Sequence, residues 1–199
     1  MARITLIAPE AFDPELAEML AGKSPFELAG ARVYAHLPEV AKAYIRFRST
    51  LNAAGSLDRR LVELVRLRVA FHNQCRSCMA IRYQDARDAG VTEDLVCQLE
   101  HPDAAADLEP HERAALEFAD LLAADHLAIT DDTISGLRRY FTEPQIVELG
   151  MHVAYFVGYG RLAMAWDLVD DLPNRFRERT GDRITPWGGD EIVVGRTVI

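Results

Sequence analysis

Two stretches of the chain repeat one another. Shifting the sequence by about 85 residues lays LVELVRLRVAFHNQCRSCMA, residues 61–80, over IVELGMHVAYFVGYGRLAMA, residues 146–165. The overlay matches Val62 with Val147, Glu63 with Glu148, Leu64 with Leu149, Phe71 with Phe156, Arg76 with Arg161, Met79 with Met164 and Ala80 with Ala165. Both copies carry apolar residues at helical steps, so the pattern predicts a duplicated helix pair; chance likeness between two amphipathic helices is the alternative. In the second copy Gly160 stands in place of Cys75 and Ala163 in place of Cys78. On the repeat reading the fold needs no thiols at those places, and the cysteines belong to function.

The rest of the chain has the same helical character. FELAGARVYAHLPEVAKAYIRFRSTLNAAG reads as two helices, with Pro38 opening the second and Gly55 closing it. SLDRRLVELVRLRVAFH predicts a helix capped by Ser56 or Asp58, and CRSCMAIRYQDARDAG predicts another running to a C-cap at Gly90, with a break near His72–Gln74. TEDLVCQLE, PHERAALEFADLLAAD, TDDTISGLRRYF and TEPQIVELGMHVAYFVGYGRLAMAWDLV each begin with a capping residue or proline and keep the period. The expectation is an all-α single domain over 1–199, with its core at about 30–170, a CxxC helix pair at 57–90, a cysteine-less repeat at 142–170 and an extended tail at 184–199. The tail, ITPWGGDEIVVGRTVI, turns at Pro-Trp-Gly-Gly and then runs β-branched, as an edge strand or a segment lying on a neighbouring subunit would.

Charge narrows the partners. With 199 residues, a net charge of −9 and no basic stretch, the chain offers nothing to phosphates, so nucleic acid and anionic membranes are poor partners and a small molecule is expected. MARITLIAPEAFDPE lacks the apolar run of a signal peptide or membrane span, which places the protein in the cytoplasm, where thiols are kept reduced.

There a CxxC pair has three readings. Cys75, Cys78, Cys97 and His101 fit a loose zinc spacing, but a helical sequence without glycine runs straight on from the pair, and Cys97 reads more simply as a buried small hydrophobe. No metal or other cofactor is expected. As a redox dithiol, Cys75 and Cys78 share a helix face one turn apart, near free amide groups at the helix start and the charges of Arg76 and Arg82, all of which favour a thiolate. The third reading is an inert pair.

Glu63 stands twelve residues before Cys75, giving Glu-x11-Cys-x2-Cys. With RVYAHLPEVAKAYIRF, GSLDRRLVELVRLRVAFHNQCRSCMAIRYQDARDAGVTEDLV and the second repeat, this window resembles the carboxymuconolactone decarboxylase family, in its alkylhydroperoxidase (AhpD-like) branch. The resemblance implies an AhpD-like helical bundle that assembles into homo-oligomers, and thiol-based reduction of hydroperoxides. It also implies a dithiol electron donor, either a lipoyl group or a small redox protein. Carried over by residue, Cys78 is the peroxide-attacking thiol, Cys75 the resolving thiol and Glu63 the proton-relaying carboxylate. Helix-end physics alone would instead make Cys75 the more acidic thiol.

Two family positions differ. A histidine four residues after the second cysteine is Arg82 here, and another just before that cysteine is Ser77. Guanidinium stabilises a thiolate but takes no proton, so base work falls to Glu63, or to His72 beside the CxxC turn or His152 on the second repeat. Each has a plainer alternative: Glu63 paired with Arg66 or Arg76, and either histidine as a satisfied core or surface residue. Glu148, the repeat mate of Glu63 without cysteines near it, points to a structural demand at that position. The rival functions are a lactone decarboxylase, which needs no CxxC pair, and a non-catalytic redox sensor.

Overall fold

The computed structural model describes residues 1–177 and 191–195. Residues 184–190 and 196–199 of the expected tail lie outside the described residues. In chain order the helices are α1 (Pro14–Met19), α2 (Ala29–Tyr34), α3 (Pro38–Ala54), α4 (Arg59–Asn73) and α5 (Arg76–Ala80). A short strand β1 (Ile81–Tyr83) follows, then α6 (Gln84–Asp88), α7 (Glu93–Gln98), α8 (Pro110–Ala124), α9 (Asp131–Leu137), α10 (Glu143–Ala165), α11 (Asn174–Arg177) and strand β2 (Ile192–Val194). The fold is all-α apart from the parallel pair β1–β2, which aligns Ile81 with Ile192, Arg82 with Val193 and Tyr83 with Val194. The extended run of the tail therefore does form a strand, against the segment after the CxxC turn.

Helix α4 is the axis of the molecule. Asp58 caps it by accepting from the Leu61 amide at 2.7 Å. Helix α8 packs on one side and α10 on another, so Leu64, Val65, Leu67 and Val69 are all fully buried. Each large aliphatic side chain so buried contributes about 1.5–3 kcal/mol. The charged residues Glu63 and Arg66 on the same helix are also buried, and a charge so placed has to find a partner. The helix stops because Gln74 takes a left-handed conformation, φ 50°, while its own carboxamide donates to the Phe71 carbonyl at 2.8 Å. The break thus falls at Gln74, inside the expected window.

Helices α1, α2 and α3 build a second, smaller core through Leu16, Leu28, Ala31, Ala41 and Ile45. Pro38 opens α3 as expected. Gly55, which ends it, is not left-handed (φ −69°). Its need is space, because a Cβ there would run into the carboxylate of Glu148. That carboxylate accepts from the Ser56 amide at 2.7 Å and the Leu57 amide at 3.1 Å, so Glu148 anchors the α3–α4 connection.

Two expectations need correcting. The second repeat is not a helix pair but one unbroken 23-residue helix, α10. At its Gly160 a Cβ would lie 2.5 Å from the Asn73 carboxamide, which donates to the Phe156 carbonyl at 3.0 Å. The α4 end closes down on the bare helix there. The helix expected from Cys75 to Gly90 is likewise broken, with Ile81–Tyr83 extended between α5 and α6. The carbonyls released by that break are taken by guanidinium groups. Arg66 donates to Cys78 O at 2.6 Å and Ile81 O at 2.8 Å, and Arg82 to Met79 O at 2.7 Å.

Candidate functional site

Cys75 is the residue that precedes α5, and Cys78 lies on that helix. With Cα atoms 5.2 Å apart, the two are joined in a disulfide. Their surroundings differ. Cys75 is buried, 1% exposed, with the Ser77 hydroxyl 3.5 Å from its sulfur. Cys78 is half-buried and lines, with Ser77, a cavity of about 200 Å³ between α3, α5, β1 and α10. An object entering this cavity meets Cys78 with Cys75 behind it.

The cavity wall is aromatic and aliphatic. Tyr44 and Tyr155 share a hydrogen bond of 2.7 Å between their hydroxyls, and Tyr34 and Tyr159 pack on Tyr44 with ring centroids 4.9 and 4.4 Å away. Burial raises the phenol pKa of Tyr34, Tyr44 and Tyr155 above the ordinary value, so all three stay neutral at working pH.

Glu63 is placed one wall away from the sulfurs. Both of its oxygens accept from Arg66, at 2.6 and 2.7 Å, so the hydrogen bonds of Glu63 go to this guanidinium and not to a thiol. Arg66 connects the two, since the same guanidinium holds the Cys78 carbonyl and lies 5.1 Å from the centre of the Tyr83 ring. Burial alone would lower the Arg66 pKa, but the Glu63 carboxylate more than offsets this and holds it above its usual value. Glu63 lines a separate small cleft with His152, and Arg48, Arg66, Tyr83, Tyr155 and Phe156 form the partition between that cleft and the Cys78 cavity.

The other expected residues are held elsewhere. His152 is buried and stacks on Phe156; burial lowers its pKa against the opposing pull of Glu148, so its ring is neutral near pH 7. His72 meets Asp120 at 2.7 Å. Burial would raise the Asp120 pKa, but hydrogen bonds from His72 and Arg68 hold it below the usual carboxylate range. Arg82 is paired with Glu93 at 2.8 Å, and Arg76 is paired with Asp167 and donates to the Phe176 carbonyl at 2.9 Å. The two arginines expected to stabilise a thiolate are thus neutralised by carboxylates and tie the CxxC turn to its neighbours. Cys97 is exposed rather than buried, and among the described residues no three His, Cys, Asp or Glu side chains are grouped to hold a metal.

Sequence reasoning missed Arg48 and the tyrosines around it. A signal was present: on α3, the positions three and four residues either side of Arg48 are Tyr44, Ile45, Leu51 and Asn52, so its own helix offers it no acid.

Residues 38–121 match the carboxymuconolactone decarboxylase family. The uncharacterized protein Rv2313c of Mycobacterium tuberculosis is 38% identical over 96 residues, which is 47% of this chain and 33% of that protein, so the chain spans about a third of the length of this curated relative. Among solved structures, the fold resembles an uncharacterized peroxidase-related protein from Ralstonia eutropha JMP134, described as an alkylhydroperoxidase AhpD core. The TM-score is 0.73 at 19% identity, with 88% of this chain and 94% of that one covered. It also resembles an uncharacterized peroxidase-related protein from Silicibacter sp. TM1040, with a TM-score of 0.64 at 19% identity over 83% and 85% of the two chains. The Glu and CxxC window lies inside the segment that matches the carboxymuconolactone decarboxylase family, and with its helices superposing on AhpD-like structures the chain has the AhpD-like fold.

Proposed function

We propose that the protein is a thiol peroxidase of the alkylhydroperoxidase kind, reducing hydroperoxides through Cys78 and Cys75. The observation that carries this reading is the asymmetry of the pair: Cys78 opens onto a cavity large enough for a small molecule, and the buried Cys75 lies within disulfide reach behind it. In the reduced protein the Cys78 sulfur attacks one peroxide oxygen. The O–O bond breaks, an S–O bond forms, and the alcohol leaves with the thiol proton, giving a sulfenic acid. The Cys75 sulfur then displaces hydroxide, which leaves as water with the Cys75 proton, and the disulfide closes. A dithiol donor, a lipoyl group or a small redox protein, reopens it and is itself oxidised to a disulfide. Glu63 acts here as a positioning residue, because it holds Arg66 and Arg66 holds the Cys78 carbonyl.

The test is multiple turnover. Reduced protein with a small dithiol such as dihydrolipoamide is expected to consume an organic hydroperoxide well beyond two equivalents, measured by loss of peroxide. Oxidation that stops at one equivalent would leave only a redox sensor. Lactone turnover that persists with both cysteines changed to serine would favour the decarboxylase.

Self-assembly and a cytoplasmic setting are part of the same reading. No helix among the described residues is long and apolar enough to cross a membrane. Helix α10 leaves Val147, Met151 and Leu162 exposed at 39–61% along one side although it is central to the fold, an apolar surface suited to a second copy of the chain. Val147→Glu with Met151→Glu is expected to shift the protein to monomer in analytical ultracentrifugation; an unchanged sedimentation coefficient would remove this face from the assembly.

A further inference from the structure

The charges around the Cys78 cavity do not cancel. Three cations line it, Lys23, Arg48 and Arg66. Lys23 is paired with Glu27 at 3.3 Å, and Arg66 with Glu63. Arg48 donates to the Tyr83 hydroxyl at 3.0 Å, yet no carboxylate among the described residues lies within ion-pairing distance of it. The phenols of Tyr44 and Tyr155 beside it are neutral, as argued above, and a guanidinium stays protonated at any working pH. A partly buried cation that faces an apolar cavity and has no counter-ion is costly unless a ligand supplies one. Arg48 is also held in place: Tyr83 fixes one of its nitrogens, and Tyr83 in turn stacks under Arg66. Its charge is therefore set in advance for a planar acid, the geometry that a guanidinium fork recognises best.

We propose that Arg48 is a substrate-binding residue and that the preferred substrate is a carboxylate-bearing organic hydroperoxide, with its acid group on Arg48, its apolar body against Ile45, Phe156 and Leu168, and its peroxide at Cys78. This rests on the peroxidase reading and adds the substrate class to it.

The experiment compares a medium-chain hydroperoxy-carboxylate with its methyl ester by kcat/KM, in the wild type and in Arg48→Gln, and measures hexanoate binding to the same proteins by calorimetry. In the wild type the acid is expected to exceed the ester at least about tenfold, the ratio that one charge-assisted contact supports. In Arg48→Gln the ratio falls to about one and hexanoate binding is lost, whereas Arg48→Lys keeps part of both. Equal use of acid and ester by the wild type, or a preference that survives Arg48→Gln, would overturn the assignment. If neither peroxide is consumed but hexanoate binds the wild type and not Arg48→Gln, the anion site stands and the peroxidase reading falls. If peroxide is consumed without discrimination and hexanoate does not bind, the reverse holds.

Discussion

Replacing Arg66 with methionine is expected to cost about 3–5 kcal/mol of folding stability, the range for removing one partner of a buried ion pair. For a chain of this size that lowers Tm by roughly 6–20 °C. The magnitude follows from what the side chain leaves behind. Glu63, 3% exposed, loses both hydrogen bonds to its carboxylate. The Cys78 and Ile81 carbonyls lose their donor at the point where the helix breaks. Methionine fills most of the volume, so packing alone does not explain a loss of this size. Chemical denaturation of Arg66→Met, Glu63→Leu and the double variant separates the causes. If the stranded carboxylate dominates, the double variant recovers most of the loss, as a double-mutant cycle would register. If the carbonyl contacts dominate, the double variant stays as weak as Arg66→Met. A loss below about 1 kcal/mol in Arg66→Met would show that the pair is dispensable.

This expectation also marks where the sequence stopped being legible. Helix starts were readable because their determinants are local. Asp58, Thr92 and Thr142 each sit within three residues of the amide or side chain that completes the cap. The extended Ile81–Tyr83 segment was not, because it is held from a distance, by Arg66 on α4 and by β2 more than 100 residues later. The repeat was visible as a match of residues, but not as one broken and one unbroken helix. That difference turns on a left-handed Gln74 in one copy and on a Gly160 that makes room for Asn73 in the other. The matched glutamates diverge for the same reason. Glu148 faces loop amides and Glu63 faces a guanidinium, although their spacing on the helix is alike.

The cysteines were legible as a pair, since residues three apart across a helix start are always near one another. What the spacing could not give is which of them faces the cavity, and helix-end reasoning alone pointed the other way. Arg76 and Arg82 read as charges favouring a thiolate, with Glu63 as an alternative partner for Arg76, whereas their carboxylate partners, Asp167 and Glu93, lie 91 and 11 residues away in sequence. Arg48, on another helix altogether, enters the site only through the packing of α3 against α10.

The largest effect on activity is expected from Cys78→Ser, which should lower hydroperoxide turnover about a thousandfold or more, to background. A serine hydroxyl is far too weakly acidic to attack peroxide without a dedicated base, and the variant loses the single nucleophile to a degree seen when such groups are removed elsewhere. Cys75→Ser should behave differently. Its Cys78 still opens on the cavity, so one equivalent of peroxide is consumed rapidly, and the sulfenic acid persists because no thiol stands behind it. A sulfenic-acid-specific reagent followed by mass spectrometry is expected to label Cys78 in Cys75→Ser and to leave Cys75 unlabelled in Cys78→Ser. Continued turnover with a dithiol donor falls sharply in Cys75→Ser, since each cycle then needs the donor to enter and attack the sulfenic acid directly. The contrast between the variants, and not the loss in either one, tests the assignment of roles, because any disturbance of the α5 turn lowers both rates. Labelling of Cys75 in Cys78→Ser, with a rapid one-equivalent phase, would exchange the two roles. It would also mean that the buried sulfur is reached by peroxide along a path other than the cavity that Cys78 lines.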